Sequence, residues 1–394
     1  MKNTVLFMFR LIASAVGGCS MPDVPEDINW SVLYSAARSH NVANIIAYAV
    51  NKGNYNVPEE IKKQLSIKMY ERVSVSENQN KEVQRVIDAF LENGIDFMPF
   101  KGLVLQKLYP TSDMRFMADA DILIKEEQFE KINDVMTSLG FTFEVEGPIE
   151  YNYTKKPYMH IELHKALIAK SSEDQYEYYK DCWSFAKKTD KEYQYAMSTE
   201  DEFIFTFNHF VRHYRDAGVG IKGVIDMWIF MKKYPLLDMD YIYSELSKIN
   251  MTAFFDNILK LTKVWFEGEP MDEVTSQMTM FILNSGTFGT LKNQMSAKSI
   301  RDNKNIEKAE RFKYLKFIFP KSSQMKDVFP VLKKWPFLLP VFYVWRVIRF
   351  VLFRRKDIEK HKKTIQNIDT QSIKKYDEHM RIVGLDMKNG RTKG

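Results

Sequence analysis

The hydrophobic period of this 394-residue chain changes twice along its length, and those changes limit what it can fold into. Over residues 27–92 apolar residues recur at spacings of three and four, as in "WSVLYSAARSHNVANIIAYAV", which predicts helices. A long second helix is predicted to open at Pro58 and to end at Gly94, residue types that suit a helix start and a helix stop. The pattern then shortens. "IDFMPF" reads as a strand, "KGLVLQKLY" as a short helix, "MADADILI" as a strand, "EEQFEKINDVMTSLG" as a helix, and "FTFEVE" and "YMHIELHKAL" as further strands. After residue 200 helices return in "DEFIFTFNHFVRHYRDAG", "IKGVIDMWIFMKKY" and "MDYIYSELSKIN". Residues 284–304 are small and polar and predict a mobile loop.

Inside the strand "MADADILI" stand two acids, Asp119 and Asp121, next to Ile122, Leu123 and Ile124. Alternate strand residues share a face, so the two carboxylates point the same way with Cα atoms about 6.5–7 Å apart. The same alternation aligns His160, Glu162 and His164 on the later strand. If the two strands pair, Glu162 completes a three-carboxylate cluster, and such a cluster holds two hard cations about 3.5–4 Å apart. Taken alone, an Asp-x-Asp is more often a solvated strand end. Here it follows "PFKG" at 99–102, where a strand meets a short helix whose first amides could receive a phosphate. Lys101 and Arg115 lie close by in sequence and offer positive charge to a triphosphate. Crowding of Asp119, Asp121 and Glu162 without metal predicts that each raises the others' cost of ionising.

These stretches, "FKGLVLQKLYP", "MRFMADADILI" and "HIELH", resemble the uncharacterised nucleotidyltransferase family of bacteria, a branch of the polymerase-beta nucleotidyltransferase superfamily. The resemblance extends to "FNHFVRHYRDAGVGIKGVIDMWIFMKK", to "FIFPKSSQMKDVFPVLKKWPFLLPVFYVWRVIRFVL" and to the opening "LFMFRLIASAVGG". It implies an α+β fold: a small mixed-sheet nucleotidyltransferase core at 94–198, flanked by an N-terminal helical region at 1–93, a helical domain at 199–283 and a basic, aromatic C-terminal region at 284–394. By position Gly102 matches the family's turn, Asp119 and Asp121 its metal pair and Glu162 its third acid, with magnesium (two ions) or manganese as cofactor. The superfamily shows Gly-Ser or Gly-Gly at the turn, where this chain has Lys101-Gly102-Leu103. The activity implied is transfer of a nucleoside monophosphate, with ATP the default donor, to a hydroxyl on a protein, sugar, metabolite or RNA. A catalytically silent scaffold and a nucleic-acid-modifying enzyme are the competing readings.

Further residues carry a weaker signal. Lys222 and Asp226 share a helix face, as either a phosphate-binding lysine held by an acid or a plain surface ion pair. His209 and His213 have the spacing of a zinc pair, but Phe210 stands where a zinc protease carries its glutamate, so an interior or cleft-floor role is expected. Cys19 and Cys182 are too few and too far apart for a disulfide framework. "MKNTVLFMFRLIASAVGGCS" imitates a signal peptide until Arg10 interrupts it, and predicts instead an amphipathic first helix of a cytoplasmic protein.

Residues 301–394 hold 24 Lys/Arg against 10 Asp/Glu, whereas the rest of the chain is mildly acidic. A phosphate-rich partner fits such a tail, either nucleic acid or an anionic membrane. Within it, 335–356 is apolar apart from its basic residues. A helix there gathers Phe342, Trp345, Ile348 and Leu352 opposite Arg346, Arg349 and Arg354, with Lys333, Lys334, Arg355 and Lys356 at the flanks. That pattern suits either peripheral contact at the inner membrane face or packing on the protein's own helices.

Overall fold

The computed structural model describes residues 2–170, 173–302, 322, 325, 329, 331–353 and 370–385. The chain divides into two compact units, Met1–Val211 with Val219–Thr287, and Arg212–Gly218 with Phe288–Gly394.

The first unit opens with α1 (Lys2–Gly17), α2 (Trp30–Ser39), α3 (Ala43–Gly53) and the long α4 (Glu59–Glu92). Pro58 caps α4, Glu59 and Glu60 fill its first turn, and Gly94 leaves it with a φ of +60°. The segment resembling a signal peptide is a helix buried on more than one side. Met8, Phe9, Leu11 and Ile12 are fully enclosed, and Phe9 stacks on Trp265 with ring centroids 4.0 Å apart. The expected one-sided amphipathic character is therefore corrected to that of a core helix.

Five strands form a mixed sheet in the order β1 (Phe97–Pro99), β2 (Ala120–Ile124), β5 (Met159–His164), β4 (Glu150–Lys155), β3 (Thr142–Glu146). Only β2 and β5 run parallel; the other neighbours are antiparallel. Between β1 and β2 lies a one-turn helix, α5 (Gly102–Leu105), and between β2 and β3 lies α6 (Phe129–Ser138). β4 has no counterpart among the predicted strands, although Tyr151 and Tyr153 alternate with polar residues and both are buried. The sheet is covered on both faces, which explains the unbroken Ile122-Leu123-Ile124 run. Ile122, Ile124, Ile161 and Leu163 pack with Val86 and Phe90 of α4 and Met136 of α6, while Met98, Phe100 and Leu123 pack with Phe205 on the other face.

Phe205 belongs to α8 (Thr199–Asp216), which follows α7 (Glu173–Tyr179) and the two-residue strands β6 (Lys187–Lys188) and β7 (Tyr195–Ala196). Then come α9 (Ile221–Lys233), α10 (Met239–Lys248), α11 (Thr252–Thr262) and α12 (Glu273–Ser285).

In the second unit, α13 (Leu291–Asp302) occupies the stretch expected to be a mobile loop. Ala297 and Ile300 are buried, and the helix packs against the helix Thr370–Ile382. Its composition is small and polar because little of its surface is covered, and that cover comes from a segment about seventy residues further along the chain. A helix also spans Leu339–Phe353. Among the described residues no helix is long and apolar enough to cross a membrane.

Candidate active site

Strand pairing brings the acids together. β2 and β5 run parallel with Asp121 directly beside Glu162, so alternation sends Ile122, Ile161 and Leu163 to one face and Asp121, Glu162 and His164 to the other. Asp119 precedes β2 by one residue. Its ligand atoms fall within 4.8 Å of those of His160 and Glu162; those of Asp121, Glu162 and His164 are equally close. Glu162 belongs to both groups. Asp119 and Glu162 are partly open to solvent, whereas Asp121 is 4% exposed.

Lys101 and His164 hold Asp121. Lys101 Nζ donates to its Oδ1 at 2.7 Å, and His164 Nε2 lies 2.8 Å from the same oxygen. The same His164 nitrogen is 3.3 Å from Glu162 Oε2, so Nε2 carries a proton, and the buried Nδ1 has no hydrogen-bond partner. A metal-bound histidine normally donates its other ring N–H to an acceptor. His164 therefore suits the task of fixing two carboxylates better than that of binding an ion.

The expected mutual repulsion prevails at one acid only. Burial, reinforced by Asp121 and Glu162, raises the Asp119 carboxyl above its ordinary range. Burial also pushes Asp121 up, but the Lys101 charge and the His164 hydrogen bond outweigh it and hold the carboxyl well below that range. The hydrogen bond from His164 lowers Glu162. The penalty the acids impose on one another is present at Asp119 and Glu162, but it decides the direction only at Asp119, because Lys101 and His164 outweigh what opposes ionisation at Asp121 and Glu162.

The turn carrying Lys101 is unusual. Its φ of 50° and ψ of −117° place a residue with a Cβ where glycine is at ease, and the other positive-φ non-glycine residues described are all asparagines. Gly102 has a different need for its missing side chain. A Cβ there would stand 3.2 Å from Met117 and 3.3 Å from the Arg115 guanidinium. The Lys101 amide donates to Glu202 Oε1 at 3.2 Å, and α5 is one turn long, so the expected phosphate-receiving helix start is occupied and short.

Glu202 did not emerge from the sequence reading. It stands in the first turn of α8 beside Glu200 and Asp201, where acids are ordinary at a helix N-terminus, so nothing in the sequence marks it out. It is 5% exposed, and burial pushes its carboxyl up to about 7 against the opposing Lys101 amide and Arg115.

Arg115 is placed otherwise than expected. It is 6% exposed and bidentate to Asp226 on α9, with Nε to Oδ1 at 2.8 Å and Nη2 to Oδ2 at 3.0 Å. Tyr109 donates to the same Oδ1 at 2.8 Å. This buried network ties α9 to the segment leading into β2, with the Arg115 guanidinium engaged by Asp226. The surface pair Lys222–Asp226 is corrected as well. Asp226 is buried on Arg115, and the part-buried Lys222 donates to the Phe116 carbonyl at 3.3 Å. Burial, helped by Arg115, lowers the Lys222 ammonium to about 8, against the pull of Asp226, Asp119 and Asp121. His209 is half-buried and His213 exposed, and neither joins the metal-competent groups among the described residues.

Three carboxylates offering only oxygen, two of them reachable by solvent, are a donor set that magnesium accepts. The five-strand mixed sheet with helical flanks is the architecture of a nucleotidyltransferase-type core. The family described as "Uncharacterised nucleotidyltransferase" matches residues 26–267, and the chain belongs to that family. No curated protein and no solved structure matches the chain.

Proposed function

We propose that this nucleotidyltransferase moves a nucleoside monophosphate, AMP by default, from a nucleoside triphosphate to an acceptor hydroxyl. The observation that supports this reading is the Asp121–Glu162 register, with Glu162 close to Asp119 and His160 in one group and to Asp121 and His164 in another. Magnesium, held by these three carboxylates, would neutralise phosphate charge and lower the pKa of the attacking hydroxyl. The chain's own groups do the rest. Glu162, ionised and half-open, accepts the hydroxyl proton, with Asp121 the alternative acceptor. The freed oxygen bonds to the α-phosphorus, the bond from that phosphorus to the bridging oxygen breaks, and pyrophosphate leaves. Lys101 and Lys222 supply positive charge to the phosphate chain, and Arg115 fixes the scaffold through Asp226.

The experiment is incubation with α-phosphate-labelled nucleotides, magnesium and cell extract. Label should pass to an extract component and pyrophosphate should appear, and Asp121→Asn should remove both while circular dichroism stays native. Full transfer by a folded Asp121→Asn protein would rule the assignment out.

A binding protein on the same fold is the second reading. What favours it is the Lys101 ammonium on Asp121, since a lysine there can stand in place of a cation. Nucleotide binding that needs magnesium separates the two, because a scaffold locked by Lys101 has no use for the ion.

A further inference from the structure

In the second unit, apolar side chains along the short helix Val331–Lys334, the turn Pro336–Leu338 and the helix Leu339–Phe353 are exposed among the described residues. Trp335 is 49% exposed, Phe337 69%, Val341 61%, Val344 60% and Trp345 52%. Val341, Val344 and Trp345 share one helix face by their three-and-four spacing, and Phe337 stands four residues before it. The expected face is partly corrected: Phe342 turns inward, its ring centroid 4.8 Å from that of Phe329. The side chains of Lys333, Ile348, Arg349 and Leu352 and all of Arg354, Arg355 and Lys356 lie outside the described residues.

Charge indicates what covers this face. From residue 328 to 356 the sequence has seven Lys/Arg and no Asp or Glu. A second copy paired through the same face would bring the same unrelieved positive charge against it, with no acid within 328–356 to pair. Nucleic acid would gain little from two valines, since its bases stack on aromatic rings. An anionic lipid surface meets both demands. Its acyl boundary takes the valines and Phe337, its headgroup level takes the two indoles, and its phosphates take the basic residues.

We infer that residues 331–353 lie flat in the interface of an anionic bilayer, attaching the protein peripherally without crossing. The inference stands apart from the reaction proposed above.

The test is flotation of the full chain with vesicles of phosphatidylcholine alone or mixed with phosphatidylglycerol. Binding is expected on the anionic vesicles only, and about tenfold weaker at high salt because exposed charges are screened. The double substitution Trp335→Ala, Trp345→Ala should weaken binding by about tenfold or more through lost apolar burial, with an unchanged circular dichroism spectrum. Phe337→Ser, at the most exposed position, gives the same reading should the double variant fold poorly. No flotation with any lipid, equal flotation on neutral vesicles, or well-folded variants that float like the wild type would each overturn the inference. A dimer broken by the tryptophan substitutions, in a chain that never floats, would make a second copy the occupant and overturn it too.

Discussion

The Lys101 ammonium lies 2.7 Å from Asp121 Oδ1, and with the His164 hydrogen bonds this contact sets the electrostatics of the acidic site. It keeps Asp121 ionised despite burial and leaves Asp119 to carry the strain of like charge. The backbone of the same lysine, in a conformation costing of order 1–3 kcal/mol, is held by Glu202 from the opposite side. Strain retained under two such tethers is the kind found where a chain positions chemistry rather than where it merely turns.

The acids of the pair should therefore respond oppositely to neutralisation. Asp119→Asn should leave the metal-free protein equally stable or up to about 1 kcal/mol more stable, because its ionised form is disfavoured. Asp121→Asn should lose about 2–4 kcal/mol, because Lys101 and His164 are left without their counter-charge. Asp121 is depressed in the folded state, so its contribution is present above the ordinary carboxylate range and is lost as pH falls. Urea unfolding at neutral and acidic pH measures all three; equal losses for both variants would contradict this division.

Glu202 should give the opposite pH dependence. Its folded carboxyl is raised to about 7, so its stabilising contribution is complete below the unfolded value near 4.5 and is lost as pH rises towards 7. Glu202→Gln keeps an oxygen for the Lys101 amide and never ionises. It should be more stable than wild type above neutrality by about 3 kcal/mol, and equal to it below the carboxylate range. Thermal melts across that range check it, and a constant difference at every pH would refute it.

The buried Arg115–Asp226 pair predicts a third outcome. Asp226→Ala strands a guanidinium and the Tyr109 hydroxyl in the core and should cost about 3–5 kcal/mol. Replacing both partners with Met and Leu should cost less than that single change. Denaturant unfolding of Asp226→Ala, Arg115→Met and the double variant decides; additive losses would mean that the two residues act separately.

How far the sequence disclosed this arrangement depends on how local each signal was. The strand that holds Asp121, the one that holds Glu162 and the long helix opened at Pro58 could be read directly, because alternation and capping are written in neighbouring residues. The placement of Asp121 beside Glu162 follows from the pairing of those strands, and Glu162 is also close to Asp119. Asp226 was seen beside Lys222, four residues away on its helix, but its partner Arg115 lies 111 residues away in sequence. Glu202 looked like any helix-start acid, and Lys101 gave no sign that it, rather than Gly102, takes the positive φ. β4 was passed over because its alternation rests on tyrosines among polar residues. α13 was passed over because its buried side, Ala297 and Ile300, is small and is covered from far along the chain.

Lys222 predicts how nucleotide affinity varies with pH. Its ammonium is lowered to about 8, so the charge it offers to phosphate is present below that value and fades above it. Affinity for a magnesium nucleotide should fall as pH rises through about 8, by roughly tenfold for one lost phosphate contact of about 1.4 kcal/mol. Lys222→Gln should bind more weakly at neutral pH and show no such fall. A variant that titrates like wild type would remove Lys222 from the site.

In the proposed reaction Asp119, Asp121 and Glu162 hold metal and nucleotide together, a role that calorimetric titration of nucleoside triphosphate into the full chain measures. With magnesium, wild type should bind; with a chelator, or in a folded Asp121→Asn protein, the heat of binding should vanish. Binding that persists unchanged without metal and in Asp121→Asn would contradict it.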